Sequence, residues 1–284
     1  MRQIRSEWIK FRSLKMNWWI ISIMTIIAVV GPTLLAFMQT VAFDSSKKAP
    51  EPKLNIVWDS VGSFTQFYML FAIILVIMMV VQEYQFGTMQ IALITHANRV
   101  TYFLSKLTFA GLVTAVTYGF TTFIGFIGAY IGQRGMLTKQ SFFELFTEYA
   151  GLIYGRALLA VLLTTVIMVG LSFLFKSSMA TILTYCFVFF VLNNILLLAL
   201  NQTLGDATGP NLMYWLVAFA PAMCLDVLMQ GTFSGSMHVL SPITGALNMP
   251  ITQDQYLIIT AIVYAVMALI SVTIALIMFK KQNI

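Results

Sequence analysis

The stretch FTQFYMLFAIILVIMMVVQ, residues 64–82, contains no charged residue and is long enough to cross the apolar core of a bilayer as a helix. The strands of a membrane barrel alternate apolar and polar residues, and this stretch does not. Comparable runs recur along the chain, which is 60% hydrophobic and 9% charged over its 284 residues. Soluble domains carry about 25% charged residues. The sequence therefore predicts an all-α membrane protein with a single transmembrane domain, residues 1–284.

Six runs are predicted to span the membrane, and a surface helix is predicted to precede them. Within 2–15, Ile4, Trp8 and Phe11 fall on one stripe of a helix, and the basic residues lie largely off it. This pattern predicts an amphipathic helix in the membrane surface. The alternative is a plain basic flank that orients the first span. The predicted spans are 17–42, 64–82, 107–132, 152–175, 180–200 and 256–279.

The run NLMYWLVAFAPAMCLDVLM, residues 211–229, is too apolar for a free loop and too interrupted for a regular span. Pro221 lies in its middle and Asp226 near its end. With six spans and cytoplasmic termini, most Lys and Arg residues lie on the cytoplasmic side, as expected for a membrane protein. A seventh span would move the C-terminal lysines to the outer side and weaken this bias. We therefore predict a re-entrant helical hairpin within 201–255, before the last span.

Several classes of function are disfavoured by what the sequence lacks. There is no P-loop motif and no HExxH motif, so the chain is expected to be neither an ATPase nor another enzyme and to hold no metal. Acidic residues are nearly missing from the predicted spans, which argues against a proton- or sodium-coupled carrier. The net charge of +6 is interpreted as topology and lipid-headgroup contact rather than nucleic-acid binding. Cys186 and Cys224 are expected to be unpaired, with a disulfide as the alternative.

The segment EYQFGTMQIALITHANRVTYFLSKL, residues 83–107, connects two predicted spans and combines an apolar block with scattered charges. It is interpreted as a cytoplasmic connection with an internal helix. A push on so short a segment would pass directly to both spans. The alternative is an ordinary connecting loop, and the residues alone leave the two interpretations equal.

The order of Glu83, Gly87-Thr88, Arg99 and Lys106 resembles the signature of bacterial permease subunits of type-2 ATP-binding-cassette (ABC) exporters, although this sequence has no proline at the expected turn. The resemblance implies that 83–106 is the segment through which an ATPase is coupled, with those five residues as the coupling residues. It also implies two separate ATPase subunits that carry ATP and Mg²⁺, a second permease copy or a paralogous permease, and a location in the bacterial plasma membrane. The distribution of Lys and Arg predicts that both termini are cytoplasmic.

The same resemblance suggests where cargo passes. Thr181, Thr184, Asn193 and Asn194 of the fifth predicted span are candidates for the pathway lining, with contacts between helices as the alternative. The hairpin, with Pro221 and Asp226, is a candidate outer gate or else a passive plug.

A mostly apolar wall suits an apolar or amphipathic cargo, such as an antimicrobial or toxic peptide or a drug. A motor-independent secondary carrier and a ligand-binding immunity or sensor protein remain as alternative functions.

Overall fold

The computed structural model describes residues 2–45, 55–86, 99–132, 146, 155–192, 195, 220–230 and 253–281. All regular structure within these residues is helical, which confirms the predicted all-α architecture for this part of the chain. The helices are α1 (Arg2–Ser13), α2 (Lys15–Ser45), α3 (Asn55–Gln85), α4 (Arg99–Gly132), α5 (Gly155–Phe175), α6 (Ser178–Cys186, continued by a π turn, Phe187–Val191), α7 (Pro221–Gln230) and α8 (Gln253–Lys281).

Five of the described helices, α2, α3, α4, α5 and α8, are long and apolar enough to cross a membrane. The chain is therefore a multi-pass membrane protein. Helix α6 is apolar but shorter, so the predicted count of six spans stays a prediction. Helix α3 is the most enclosed: 65% of the residues in its apolar 18-residue stretch are buried, compared with 28% for α2 and 22% for α8. The bundle is thus built around α3, with α2 and α8 at its periphery.

Two predicted boundaries were wrong. Helix α3 begins at Asn55 rather than near residue 64, and α4 begins at Arg99 rather than near residue 107. Ser60 and Lys106, which the sequence analysis placed outside the spans, are buried in the bundle. Their polar groups have partners there, so these residues continue the helices instead of ending them.

Close packing of α4 against α2 depends on the absence of side chains at Gly128 and Gly132. A Cβ atom at Gly128 would lie 2.6 Å from Thr33 Oγ1 and 3.0 Å from the Val29 carbonyl oxygen. At Gly132 it would lie 2.7 Å from the Thr33 carbonyl oxygen. Small residues let helix backbones approach in this way within membranes, where helices gain no hydrophobic driving force from one another.

Helix α7 begins at Pro221, where the missing N–H is tolerated and the fixed φ suits a first helical turn. Cys224, Leu225 and Leu228 are buried in the core, so α7 is an embedded element. The second helix of the predicted hairpin is therefore present. Its first helix lies in residues 211–219, outside the described part of the chain, so the hairpin itself stays a prediction. Cys186 and Cys224 are both free thiols, as expected.

A buried charge cluster as candidate functional site

The site begins with a sharp turn between α1 and α2, which are separated only by Leu14. The Asn17 side-chain Nδ2 donates a hydrogen bond to the Phe11 carbonyl oxygen (3.0 Å), and Trp18 Nε1 donates to the Arg12 carbonyl oxygen (3.1 Å). These bonds satisfy carbonyl groups that a helix end otherwise leaves unpaired. They let α1 stop and fold back against the bundle, where the Phe11 ring packs edge-on against Phe109 of α4.

The buried face of α1 carries a charge as well as an aromatic ring. Glu7 is 6% exposed and Phe11 is 4% exposed, whereas Trp8 is 48% exposed. The predicted apolar stripe therefore only partly matches the buried face, because it included Trp8 and left out Glu7. This carboxylate faces the ends of α3 and α4.

Four charged side chains from three helices meet there. Lys106 of α4 is 2% exposed; its Nζ forms an ion pair with Glu7 Oε2 and lies 2.8 Å from Glu83 Oε1 of α3. Lys10 of α1 lies 2.6 Å from the same Glu83 oxygen and 3.5 Å from Glu7 Oε1. The Tyr102 hydroxyl, one turn before Lys106, donates to Glu83 Oε2. We call Glu7, Lys10, Glu83, Tyr102 and Lys106 the charge cluster.

The charge cluster is electrically balanced and fully bonded on its acidic side. Two carboxylates face two ammonium groups, and each of the four carboxylate oxygens has a donor within the cluster. Burying ions costs free energy unless such partners compensate for lost water. Burial alone lowers the pKa of Lys10, but the hydrogen bond and charge of Glu83, together with Glu7, outweigh it and raise this pKa above its ordinary value of 10.5.

An aromatic layer lies directly beside the charge cluster. The Phe173 ring of α5 is 4.7 Å from Phe103 and 5.2 Å from Phe279, and Tyr84 packs edge-on against it at 5.9 Å between centroids. Tyr102 stacks on Phe279 and so belongs to both groups. The layer packs the ends of α3, α4, α5 and α8 against one another.

Arg99 joins α4 to the last helix at the same end of the bundle. Its Nη1 donates to the carbonyl oxygens of Phe279 (3.3 Å) and Lys280 (3.2 Å), in the last turn of α8. A cation at a helix C-terminus also interacts favourably with the helix dipole. Arg99 therefore ties the first turn of α4 to α8.

The structure brings together two of the five predicted coupling residues, Glu83 and Lys106. Arg99 lies at the start of the same helix as Lys106 but bonds to α8. Gly87 and Thr88 lie outside the described residues. The predicted segment 83–106 is thus framed by helix at both ends, with 87–98 as the part that the structure does not describe.

The predicted pathway and gate residues that the structure describes lie outside the charge cluster. Thr181 is fully buried and Thr184 half-buried, and each hydroxyl donates to a carbonyl oxygen of the preceding helical turn at 2.8 Å. Thr184 and Pro221 line one cavity. Asn193 and Asn194 lie outside the described residues. Asp226 belongs to α7, and the structure does not describe its side chain. No cargo route is defined by these positions.

Three members of the charge cluster were not predicted as site residues: Glu7, Lys10 and Tyr102. Glu7 is the only acidic residue within 2–15 and stands four positions before Phe11, hence on the same helical face. That spacing is a usable signal for a buried acid. Tyr102 is separated from Glu83 by 19 positions, and nothing local marks the pair.

Comparison with known families agrees with this architecture. The family model described as ABC-2 family transporter protein matches residues 3–193, which include the whole charge cluster. The chain belongs to the ABC-2 family of transporter proteins. It is accordingly a transmembrane component of an ABC transporter, a class in which ATP is generally hydrolysed on separate subunits. Comparison with curated proteins gives no match.

Proposed function

We propose that this chain is the permease subunit of an ATP-driven exporter, in which the charge cluster transmits the motion of the ATPase to the membrane helices. The functional unit is proposed to contain two ATPase subunits and a second permease, either a copy of this chain or a paralogue. The observation that carries this proposal is the ion pairing of Lys106 with both Glu7 and Glu83.

The position of the charge cluster supports a mechanical role. Residues 87–98 lie between α3 and α4 in the sequence, and the charge cluster joins both helices to α1. A force applied to this segment by an ATPase would displace the three helices together, because separating them would strand buried charges. Nucleotide binding would then bias the permease between two conformations.

The distribution of charge supports cytoplasmic termini in a bacterial plasma membrane. Trp18 and Trp19 are exposed at the α1–α2 turn, where aromatic residues anchor helices at a membrane interface. The Lys and Arg residues proposed to be cytoplasmic are Arg2, Arg5, Lys10, Arg12, Lys15, Arg99, Lys106, Lys176, Lys280 and Lys281. They outnumber those proposed to be outside, as the positive-inside rule requires.

The cargo is proposed to be apolar or amphipathic, with an antimicrobial or toxic peptide or a drug as the class. The spans provide hydroxyl groups and apolar side chains but almost no charge away from the charge cluster, and such a lining would not compensate for the desolvation of a strongly charged cargo.

Purification and transport test the proposal in sequence. We expect the tagged chain, solubilised from its native cells, to co-purify with a P-loop ATPase. In inverted vesicles, we expect ATP-dependent uptake of the amphipathic dye rhodamine 6G by the wild type and by Lys281→Met. We expect none by Lys106→Met, although the ATPase stays bound. Lys281→Met removes the same charge at an exposed position.

Each step has an outcome that contradicts the proposal. Wild-type uptake by Lys106→Met would remove the charge cluster from the coupling route. Uptake without a co-purifying ATPase and without ATP would instead identify a secondary carrier.

A further inference from the structure

A cavity of about 160 Å³ lies between α5, α6, α7 and α8. Its floor consists of Met168, Tyr185 and Phe189, which are all buried. Its rim consists of half-buried residues, among them Val188 and Pro221. The cavity is therefore a partly enclosed space among membrane helices rather than a surface groove.

The chemistry of the lining selects an apolar ligand. None of the residues that line the cavity is charged, and the Thr184 hydroxyl already donates to the Ala180 carbonyl oxygen at 2.8 Å. Apolar protein cavities of about 150 Å³ stay dry and bind molecules such as benzene. A cavity of this size and lining accordingly has room for one ring-sized apolar group.

The same lining favours an aromatic ring over a straight alkyl chain. The Tyr185 and Phe189 rings, which form part of the floor, lie 4.9 Å apart between centroids. Aromatic pairs attract each other beyond the effect of buried area alone. Met168 and Met267 add two polarisable thioethers, which contact aromatic rings favourably and adapt to irregular shapes.

A rare backbone feature coincides with the cavity. Val188 and Phe189 lie within the π turn Phe187–Val191, which ends with the Leu192 N–H donating to the Phe187 carbonyl oxygen. Single π turns inside α-helices occur frequently at functional sites. This observation is independent of the lining and points to the same place.

We propose that this cavity is a binding site for one aromatic ring of an apolar or amphipathic molecule dissolved in the membrane. The site is distinct from the charge cluster, and binding there requires neither ATP nor coupling. Thr184 and Pro221, predicted from sequence as pathway and gate residues, are thereby assigned to the wall of one ligand site.

Photolabelling tests the site directly. The full-length chain in nanodiscs is irradiated with 3-trifluoromethyl-3-phenyldiazirine, a small aromatic probe, and the labelled residues are identified by mass spectrometry. We expect saturable labelling of Met168 and Tyr185 that toluene reduces and that hexane, at equal membrane concentration, does not. Val188→Trp fills the cavity, and we expect it to lower this labelling about tenfold, the change that corresponds to about 1.4 kcal/mol of binding.

Two further variants keep the test decisive. Thr184→Leu fills part of the cavity with a smaller change and should lower the labelling in the same direction even if Val188→Trp does not fold. Leu183→Trp alters the neighbouring exposed position of α6 and should leave labelling of the cavity unchanged. Labelling that does not saturate, or that persists in both filled variants, would overturn the proposal. Equal competition by hexane would overturn the preference for an aromatic ring and indicate a lipid chain.

Discussion

Replacing Lys106 by Met should destabilise the protein more than any other single change in the charge cluster. Lys106 is 2% exposed and contacts both carboxylates, so its removal leaves Glu7 and Glu83 with one shared ammonium group. Removing one partner of a buried ion pair costs about 3–5 kcal/mol, mostly because the remaining charge is stranded. Lys10→Met should cost about 1 kcal/mol, because nearly half of that side chain is exposed and water screens its charge.

A double-mutant cycle separates stranded charge from lost packing. Glu7→Gln combined with Lys106→Met leaves the Lys10–Glu83 pair and restores electrical balance. The double variant should therefore be more stable than Lys106→Met alone, with an interaction free energy of about 2 kcal/mol between the two sites.

The cycle is measured by reversible unfolding of the purified chain in mixed micelles, followed by circular dichroism as the fraction of dodecyl sulfate increases. Two results would refute the reasoning. One is additivity of the two changes within about 0.5 kcal/mol. The other is a larger loss of stability for Lys10→Met than for Lys106→Met, since burial would then not decide the cost.

Three further predictions concern packing, the last helix and pH. Gly128→Leu should cost about 1–3 kcal/mol by forcing α4 away from α2, whereas Gly111→Ala, whose Cβ would approach only Leu162 at 3.9 Å, should be tolerated in the same unfolding assay. Arg99→Ala should speed amide hydrogen exchange in the last turn of α8 without doing so in α5; equal protection in wild type and variant would contradict the contact. Because the folded-state pKa of Lys10 is raised, its stabilising contribution is complete below pH 10.5 and is lost as the pH rises through the raised value. As the pH rises above 10.5, the free energy of unfolding of Lys10→Met should accordingly fall less than that of the wild type. The same dependence of this free energy on pH in both proteins would contradict the prediction.

Hydropathy located α5 and α8 well. The predicted span 152–175 corresponds to Gly155–Phe175, and 256–279 corresponds to Gln253–Lys281. The starts of α3 and α4 were misplaced because local polarity predicts solvent, whereas these polar groups are paired inside the bundle. Only tertiary contacts can show that Ser60 and Lys106 are sheltered from water.

Only part of the candidate site was predictable, because its contacts are also tertiary. Glu83 and Lys106 were predicted as site residues, but their pairing with α1 depends on the folding back of that helix. Glu7 and Lys106 are 99 positions apart, and no local pattern relates them. The π turn of α6 is likewise a product of packing, because the residues FVFFV alone are compatible with a regular helix or a strand.

We propose that the charge cluster makes α1, α3 and α4 one mechanical unit. Spin labels at the exposed positions Arg5 and Thr101 report the distance between α1 and α4, and labels at Thr101 and Met179 report the distance between α4 and α6. These distances are measured in the transporter with its ATPase subunits, before and after trapping with ATP and vanadate. We expect an unchanged Arg5–Thr101 distance and a changed Thr101–Met179 distance. We also expect Lys106→Met to broaden the Arg5–Thr101 distance distribution. A change in the Arg5–Thr101 distance as large as that between Thr101 and Met179 would contradict the proposal.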